Sequence, residues 1–335
     1  MQHATDSVRH AILPFRGICL GVPKQDELDV FRRLIMEVLP EHGCNVLVLM
    51  VRYRFRFKTH PAVCDNGALE SEQAAELAAL CRANGIRLIP KMNLFGHQSG
   101  KKTGSEQGML RAYPEFDETP DLSEVRYCRS LCPTQPKVKQ VVFELADELI
   151  EAFQADAIHV GLDEVFEIGH CPRCKGTAND ILFADWVSAL HAHFVGERNI
   201  EMLMWGDRLL NAEATGYGEW EAAKNNTWPA LDRIPNDIIL CDWHYKKRDD
   251  YPSVTLFAEH GFRHVVCPWH STDATEAFLQ YAEANRTEKL LGVLQTSWCR
   301  PRAVAEYLLQ PSTDADEKVR GVGESFKYAM KFAGA

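Results

Sequence analysis

The chain has 335 residues, of which 46% are hydrophobic and 25% charged, so it has the composition of an ordinary globular protein with a sizeable core. Its formal net charge of -10 argues against a general nucleic-acid binder, because such proteins present a basic surface to phosphate. Residues 1–17 lack the apolar stretch of a secretion signal, and no later run approaches the ~18 apolar residues of a membrane span. We therefore expect a cytoplasmic protein without nucleic-acid or membrane partners. The sequence does not indicate an oligomeric state.

Eleven cysteines are spread along the chain, most of them inside apolar segments that resemble strands. An odd number in such positions fits reduced, buried thiols better than a disulfide framework. This pattern also favours a cytoplasmic location.

Apolar, strand-like segments alternate with segments of helical periodicity along the whole chain. Helical patterns cover 26–42, 70–84, 137–153, 181–195, 254–260 and 275–285, and the part beyond 299 is helical as well, whereas 212–235 holds a short helix at most. Eight strand–helix units in strict alternation favour a single (β/α)8 barrel of residues 1–335 over a doubly wound sheet. The predicted strands lie near 15–21, 45–51, 86–94, 157–164, 201–210, 238–245, 263–270 and 290–299.

The fourth predicted strand, AIHVGLDE at 157–164, ends in two adjacent carboxylates. With a period of two, Ile158, Val160 and Leu162 lie on one face and His159, Gly161 and Asp163 on the other. Asp163 and Glu164 would point in opposite directions in an ideal strand. They can therefore serve one pocket only where the strand ends and its backbone turns. The alternative is a strand that merely ends in acidic loop residues, with His159 as a buried core histidine.

In a (β/α)8 barrel the functional residues lie at the carboxyl ends of the strands and in the loops that follow. Four of the seven tryptophans stand at such ends, and Trp220 and Trp228 lie in the loop after strand five. An aromatic cup with a carboxylate pair suits a sugar, whose C–H faces stack on rings and whose hydroxyls bind acids. Polar and aromatic residues at the strand ends include His97, Asp163, Glu164, Trp205, Asp207, Asp242, Trp243, Tyr245, Trp269, Trp298 and Arg300.

The run from His159 to Glu164 resembles the H-x-G-G-D-E signature of the family 20 glycoside hydrolases, the β-N-acetylhexosaminidases. That family has a (β/α)8 catalytic barrel with the signature at the end of strand four. The segment 95–97, FGH, resembles the family's P-G-H, and 131–134, LCPT, resembles its L-N-P-T. Trp298 matches its strand-eight tryptophan.

The resemblance implies a retaining glycosidase that cleaves a terminal N-acetylhexosamine from an oligosaccharide or glycoconjugate with assistance from the substrate. Glu164 would be the general acid and base, and Asp163 would orient the acetamido group and stabilise the positive charge that develops on it. No cofactor is implied for catalysis. The expected substrate-binding residues are the pocket walls Trp205 and Trp298, with Trp228 as a further candidate wall, Tyr245 at the acetamido oxygen, and His97, Asp207 and Asp242.

Three positions depart from the family pattern. Residues 21–23, GVP, stand where an arginine normally ends strand one; Arg300 replaces the glutamate of W-x-E; and Leu162 replaces the second glycine of the signature. We therefore expect altered contacts with the sugar hydroxyls, and we expect Arg300 to bind an anionic or modified sugar through its positive charge. The alternatives are a glycosidase that does not use an acetamido group and a carbohydrate-binding barrel without turnover.

The segment 171–174, CPRC, has the spacing of half a tetrahedral zinc site. It lies in the loop after strand four, and Cys128 and Cys132 lie in the neighbouring loop after strand three. A structural zinc ion held by Cys128, Cys132, Cys171 and Cys174, with His170 as a substitute ligand, is one hypothesis. The other is a tight turn with two buried thiols.

Overall fold

The computed structural model describes residues 12–334, so the first eleven residues and residue 335 of the predicted 1–335 domain lie outside the described part. Within it, eight parallel strands close into a barrel in the order in which they occur in the chain. This confirms the predicted (β/α)8 fold. The strands are β1 Phe15–Gly21, β2 Val46–Met50, β3 Arg87–Lys91, β4 Ala157–His159, β5 Glu201–Trp205, β6 Ile239–Trp243, β7 Arg263–Cys267 and β8 Leu290–Thr296.

Helices connect the strands and form the outer layer. None of the helices in residues 12–334 has the length and apolar character needed to cross a membrane. The helices are α1 Leu28–Arg33, α2 Leu39–Glu41, α3 Ser71–Ala83, α4 Gly108–Ala112, α5 Pro136–Phe153, α6 Asn179–His191, α7 Ala212–Thr215, α8 Gly218–Glu221, α9 Pro252–Glu259, α10 Thr272–Ala284, α11 Pro301–Leu309 and α12 Glu317–Gly334.

The period of two along each strand divides the buried residues into two cores. In β1, Cys19 faces the barrel interior, whereas Ile18 and Leu20 pack between the sheet and the helices. Each fully buried aliphatic side chain of this kind stabilises the fold by about 1.5–3 kcal/mol. The interior core contains Phe15, Cys19, Val46, Val48, Ile89, Ala157, Leu203, Trp205, Ile239, Cys241, Trp243, Val265, Cys267 and Leu294.

The strand β4 is shorter than predicted, since it ends at His159 rather than at residue 164. Its ladder stops because Gly161, Leu162 and Glu164 have φ values of 75°, 73° and 52°, which a strand cannot accommodate. Leu162 nevertheless packs in the outer core, between the sheet and the helices, on the same side as Ile158 and Val160, as predicted. The backbone therefore turns just before Asp163 and Glu164. This is the turn that the sequence analysis required if both carboxylates are to face one pocket.

Candidate active site

A cavity of about 680 Å³ opens at the carboxyl ends of the barrel strands. Its walls come from the ends of the strands and from the loops that follow them. Seventeen residues line it: Arg52, His97, Tyr127, Asp163, Glu164, Trp205, Tyr217, Gly218, Glu219, Trp220, Glu221, Lys224, Trp243, Tyr245, Lys246, Trp269 and Trp298.

One histidine faces both carboxylates of the signature. Nε2 of His97 lies 3.1 Å from Oδ2 of Asp163 and 3.3 Å from Oε2 of Glu164. His97 and Glu164 both have left-handed backbone conformations, with φ values of 59° and 52°. Such conformations cost energy in residues with a side chain and cluster at functional sites. Here they turn the loops after β3 and β4 toward each other.

Gly161 allows the two loops to approach closely. Its φ is 75°, and a Cβ atom at this position would lie 2.9 Å from Cα of Asn93. A side chain would therefore push apart the loops that carry His97 and Asp163. Leu162, in place of the second family glycine, adopts a φ of 73° and is fully buried.

Asp163 is buried, and both of its oxygens are occupied. Oδ1 accepts a hydrogen bond of 3.0 Å from Asn93, and Oδ2 faces His97. Lys91 in turn donates to Oδ1 of Asn93 over 2.6 Å. Burial alone would raise the pKa of Asp163, but the charges of His97 and Lys91 outweigh burial and hold that pKa below its ordinary value. Asp163 is therefore an anion held in a fixed orientation.

The pKa values of His97 and Glu164 are shifted as well. Burial disfavours protonation of His97, but the facing carboxylates outweigh it and raise its pKa to about 9. Burial raises the pKa of Glu164, and the charge of Asp163 adds to this. Two adjacent carboxylates with pKa values pushed in opposite directions are suited to different tasks, one as a permanent anion and the other as a proton donor.

Asp207 does not line the cavity but supports the loop of Glu164. Its Oδ2 accepts the backbone N–H of Glu164 over 2.9 Å and Nε of Arg208 over 2.7 Å. Its Oδ1 accepts Nε1 of Trp243 over 3.2 Å. The structure thus places Asp207 behind the cavity wall rather than at a substrate hydroxyl.

The predicted aromatic residues Trp205, Tyr245 and Trp298 all line the cavity. The rings of Trp205 and Trp298 lie 6.2 Å apart. Nε1 of Trp298 donates a hydrogen bond of 2.9 Å to the hydroxyl of Tyr245. This contact leaves the tyrosine proton available for another acceptor.

Asp242, Arg300 and Trp228 do not line this cavity. Because Cys241 and Trp243 face the barrel interior, Asp242 faces the helical layer, where it accepts a hydrogen bond of 2.6 Å from Ser253 in α9. Arg300 is exposed immediately before α11. A strand-end position alone does not determine on which side of the barrel wall a side chain lies.

Several lining residues were not among the expected substrate-binding residues. Trp243 and Trp269 stand at predicted strand ends, and this position would have been enough to predict that both line the cavity. Arg52 follows β2 and Glu221 is the last residue of α8, whereas Tyr127, Tyr217 and Lys246 come from loops whose paths the sequence pattern does not specify.

The expected cysteine cluster differs from the prediction in one member. The Sγ atom of Cys132 lies 3.4 Å from that of Cys171 and 3.7 Å from that of Cys174, but the fourth residue of the cluster is Glu118. Cys128 instead accepts the backbone N–H of His97 over 3.3 Å. His170, the proposed substitute ligand, is exposed, and its Nε2 lies 3.1 Å from Oε2 of Glu167.

A barrel that carries paired carboxylates and an aromatic cup at the carboxyl ends of its strands is typical of enzymes that act on sugars. The model of the family described as glycosyl hydrolase family 20, catalytic domain, matches residues 52–310. The chain therefore belongs to this family of glycoside hydrolases, as the signature at residues 159–164 indicated.

Curated relatives agree with this assignment. The chain is 29% identical over 137 residues to a beta-hexosaminidase of Akkermansia muciniphila, a match that covers 38% of this chain and 26% of that protein. It is 21% identical over 185 residues to a beta-hexosaminidase of Vibrio furnissii, covering 53% of this chain and 27% of that protein. The matches thus span about a quarter of each relative.

The fold of a chitobiase from Flavobacterium johnsoniae is similar to that of this chain, with a TM-score of 0.64 and 17% identity. The similarity covers 96% of this chain and 52% of the chitobiase. At this level of identity the comparison establishes the shared barrel and no more.

Proposed function

We propose that this chain hydrolyses the bond to a terminal N-acetylhexosamine with retention of configuration, and that the 2-acetamido group of the substrate acts as the nucleophile. The observation that carries the proposal is the arrangement of His97 between Asp163 and Glu164 at an aromatic cavity. The curated relatives are both named beta-hexosaminidase, which supports the same substrate class. The chemistry uses side chains and the substrate alone, so the proposal includes no cofactor.

In the first step Glu164 donates its proton to the glycosidic oxygen while the acetamido oxygen attacks the anomeric carbon and the glycosidic bond breaks. The resulting oxazolinium ring carries a positive charge beside the carboxylate of Asp163, which accepts the acetamido N–H. In the second step water attacks the anomeric carbon and gives its proton to Glu164, and the acetamido oxygen leaves. Two displacements on one carbon retain its configuration.

Asp163 is better suited to orient the acetamido group than to attack the sugar itself. Both of its oxygens already accept hydrogen bonds from Asn93 and His97, and its buried position fixes their direction. A carboxylate held in this way is pre-organised to stabilise charge that develops nearby. The acetamido group would pack against the wall formed by Trp205 and Trp298 and accept the proton of Tyr245.

The direct test is hydrolysis of an aryl N-acetyl-β-glucosaminide compared with the matching aryl glucoside. Substrate assistance predicts turnover of the first and none of the second. It also predicts strong inhibition by a thiazoline that mimics the oxazoline, because enzymes bind analogues of reactive intermediates far more tightly than substrates. A chain that binds N-acetylglucosamine but hydrolyses neither aryl glycoside would instead be a carbohydrate-binding barrel.

The shifted pKa values predict the pH dependence of kcat/KM on the aryl N-acetyl-β-glucosaminide. Glu164 must be protonated in the first step, so activity falls as pH rises through its pKa, which lies above the ordinary 4.5. Asp163 must be ionised, so activity falls as pH drops through a pKa that lies below the ordinary 3.8. A profile from pH 2 to 10 tests both limbs, and an acid limb above pH 5 would contradict the role of Asp163.

An anionic or modified sugar as substrate would need a cation inside the cavity, which Arg300 does not supply. Arg52, Lys224 and Lys246 line the cavity, whereas Arg300 is exposed outside its lining. We expect Arg300→Ala to change KM by less than about twofold, as is usual for an exposed charge. Arg52→Ala should raise KM about tenfold if the guanidinium binds the sugar through charge-assisted hydrogen bonds. Equal effects of the two variants would contradict this assignment.

We also propose that the protein functions in the reducing cytoplasm. This is supported by the state of its eleven cysteines, all of which lie in the described residues and all of which are free thiols.

A further inference from the structure

Three thiols and one carboxylate converge between the loop after β3 and the loop after β4. Glu118 and Cys132 come from the first loop, and Cys171 and Cys174 from the second; one ligand atom of each lies within 4.8 Å of the others. The Sγ distances of 3.4 and 3.7 Å from Cys132 are far too long for a disulfide, which needs about 2.05 Å. They are close to the ~3.8 Å that separates two sulfurs bound tetrahedrally at about 2.3 Å from one zinc ion.

Glu118 provides an independent indication of a cation. Glu118 is fully buried. Its Oε1 accepts hydrogen bonds from the backbone N–H groups of Gly169 and His170 over 2.8 and 3.0 Å. Its Oε2 is also buried but has no hydrogen-bond partner among the described residues. A buried carboxylate oxygen without a partner is costly. A metal ion among the three sulfurs would satisfy it.

We propose that Cys132, Cys171, Cys174 and Glu118 bind one structural zinc ion. Three thiolates and a carboxylate in a tetrahedral set match the ligand preferences of Zn²⁺, whereas Mg²⁺ and Ca²⁺ prefer oxygen ligands alone. All four residues are buried, so the site has no open position for a substrate or a reactive water. The turn at 171–174 is closed by the backbone hydrogen bond from Cys174 to Cys171 over 3.0 Å, which holds both sulfurs on one side.

The zinc ion would fasten together the two loops that carry the candidate catalytic residues. The loop after β3 carries His97, and the loop after β4 carries Glu164. Cys128 already joins them at a second point, since its Sγ accepts the N–H of His97 and donates to the backbone oxygen of Glu164 over 3.9 Å. The metal site does not depend on the proposed reaction, so its presence can be tested without any activity measurement.

The test is the zinc content of the tag-free protein purified without chelators, measured by mass spectrometry of the elements. We expect about one zinc ion per chain in the wild type and less than about a tenth in Cys132→Ser. Cys64→Ser is the matched control, because this thiol lies outside the cluster and donates to Phe57 instead. Glu118→Gln keeps the size of the side chain but removes its charge. It should weaken zinc binding at least about tenfold in competition with a chelator, since even outer-shell changes cost ~10–100-fold.

Replacement of zinc by Co²⁺ gives a second readout that does not require any variant to fold. The wild type should acquire the visible absorption of tetrahedral Co²⁺ together with the charge-transfer band of thiolate ligands. The proposal is overturned if the wild type holds no stoichiometric zinc and acquires no such spectrum. It is also overturned if Cys132→Ser retains zinc as the wild type does, or if alkylation and mass measurement find Cys132 in a disulfide.

Discussion

Replacing Glu164 by glutamine is expected to lower kcat on an unactivated N-acetylglucosaminyl disaccharide by about 10²–10⁴-fold, the usual contribution of a general acid and base. An amide of the same size cannot protonate the leaving oxygen or accept a proton from water. The backbone N–H of residue 164 donates a hydrogen bond to Asp207, and the side chain of residue 164 takes no part in it. The loop is therefore expected to keep its position in the variant. The measurement is the steady-state rate of wild type and variant at the pH optimum.

The leaving group distinguishes loss of a proton donor from general damage to the site. An aryl glycoside with an acidic phenol needs little protonation, so its first step should be less impaired in Glu164→Gln than that of the disaccharide. Glu167→Gln is the matched control, because Glu167 lies on the same loop outside the cavity lining and pairs with His170. Equal losses of kcat/KM, which reports the first step, on both substrates, or a similar loss in the control, would contradict the assignment of Glu164 as the acid.

The fold could be predicted because its pattern is repeated and local. Each strand–helix unit carries its own periodicity, and β1 begins and ends at the predicted residues. The ends of β4 and β5 could not be predicted, because apolar residues such as Leu162 and Leu209 continue the pattern after the ladder has stopped. Burial in the outer core, not strand pairing, accounts for those residues.

The sequence could indicate where a residue lies when the residue belongs to a strand end or a motif. The structure brings His97 within 3.1 Å of Asp163 and 3.3 Å of Glu164, and the roles given to these residues belong to the proposed function. Asp242 shows where this kind of prediction fails. The residues around it alternate between the barrel interior and the helical layer, and its side chain faces the helices rather than the cavity.

Glu118 illustrates a second limit. It lies in a long loop without periodicity, and only the folded chain brings its carboxylate to Cys171 and Cys174. The hypothesis of a zinc site included Cys128 because it lies, with Cys132, in the loop next to the one that carries Cys171 and Cys174. The structure instead uses Cys128 to join the backbone of His97 to that of Glu164.

Replacing Asp163 by asparagine is expected to lower kcat/KM on the aryl N-acetyl-β-glucosaminide by about 10²–10³-fold, because the developing positive charge loses its facing anion. Binding of the thiazoline should weaken in parallel, since the inhibitor carries the same ring. The substitution also removes the charge that holds His97 protonated, so the His97 pKa should fall from about 9 toward its ordinary value of 6.5.

These effects separate an electrostatic role of Asp163 from a purely structural one. An NMR titration of the His97 imidazole would report the lowered pKa in a folded variant, whatever its activity. At a pH well below the pKa that this titration gives for the variant, His97 is protonated in both proteins. A loss of rate that persists there arises from Asp163 itself and not from the histidine. A variant that retains both the rate and the thiazoline affinity would exclude Asp163 from the proposed reaction. The acetamido group would then have to be oriented by Tyr245 and the tryptophan walls alone.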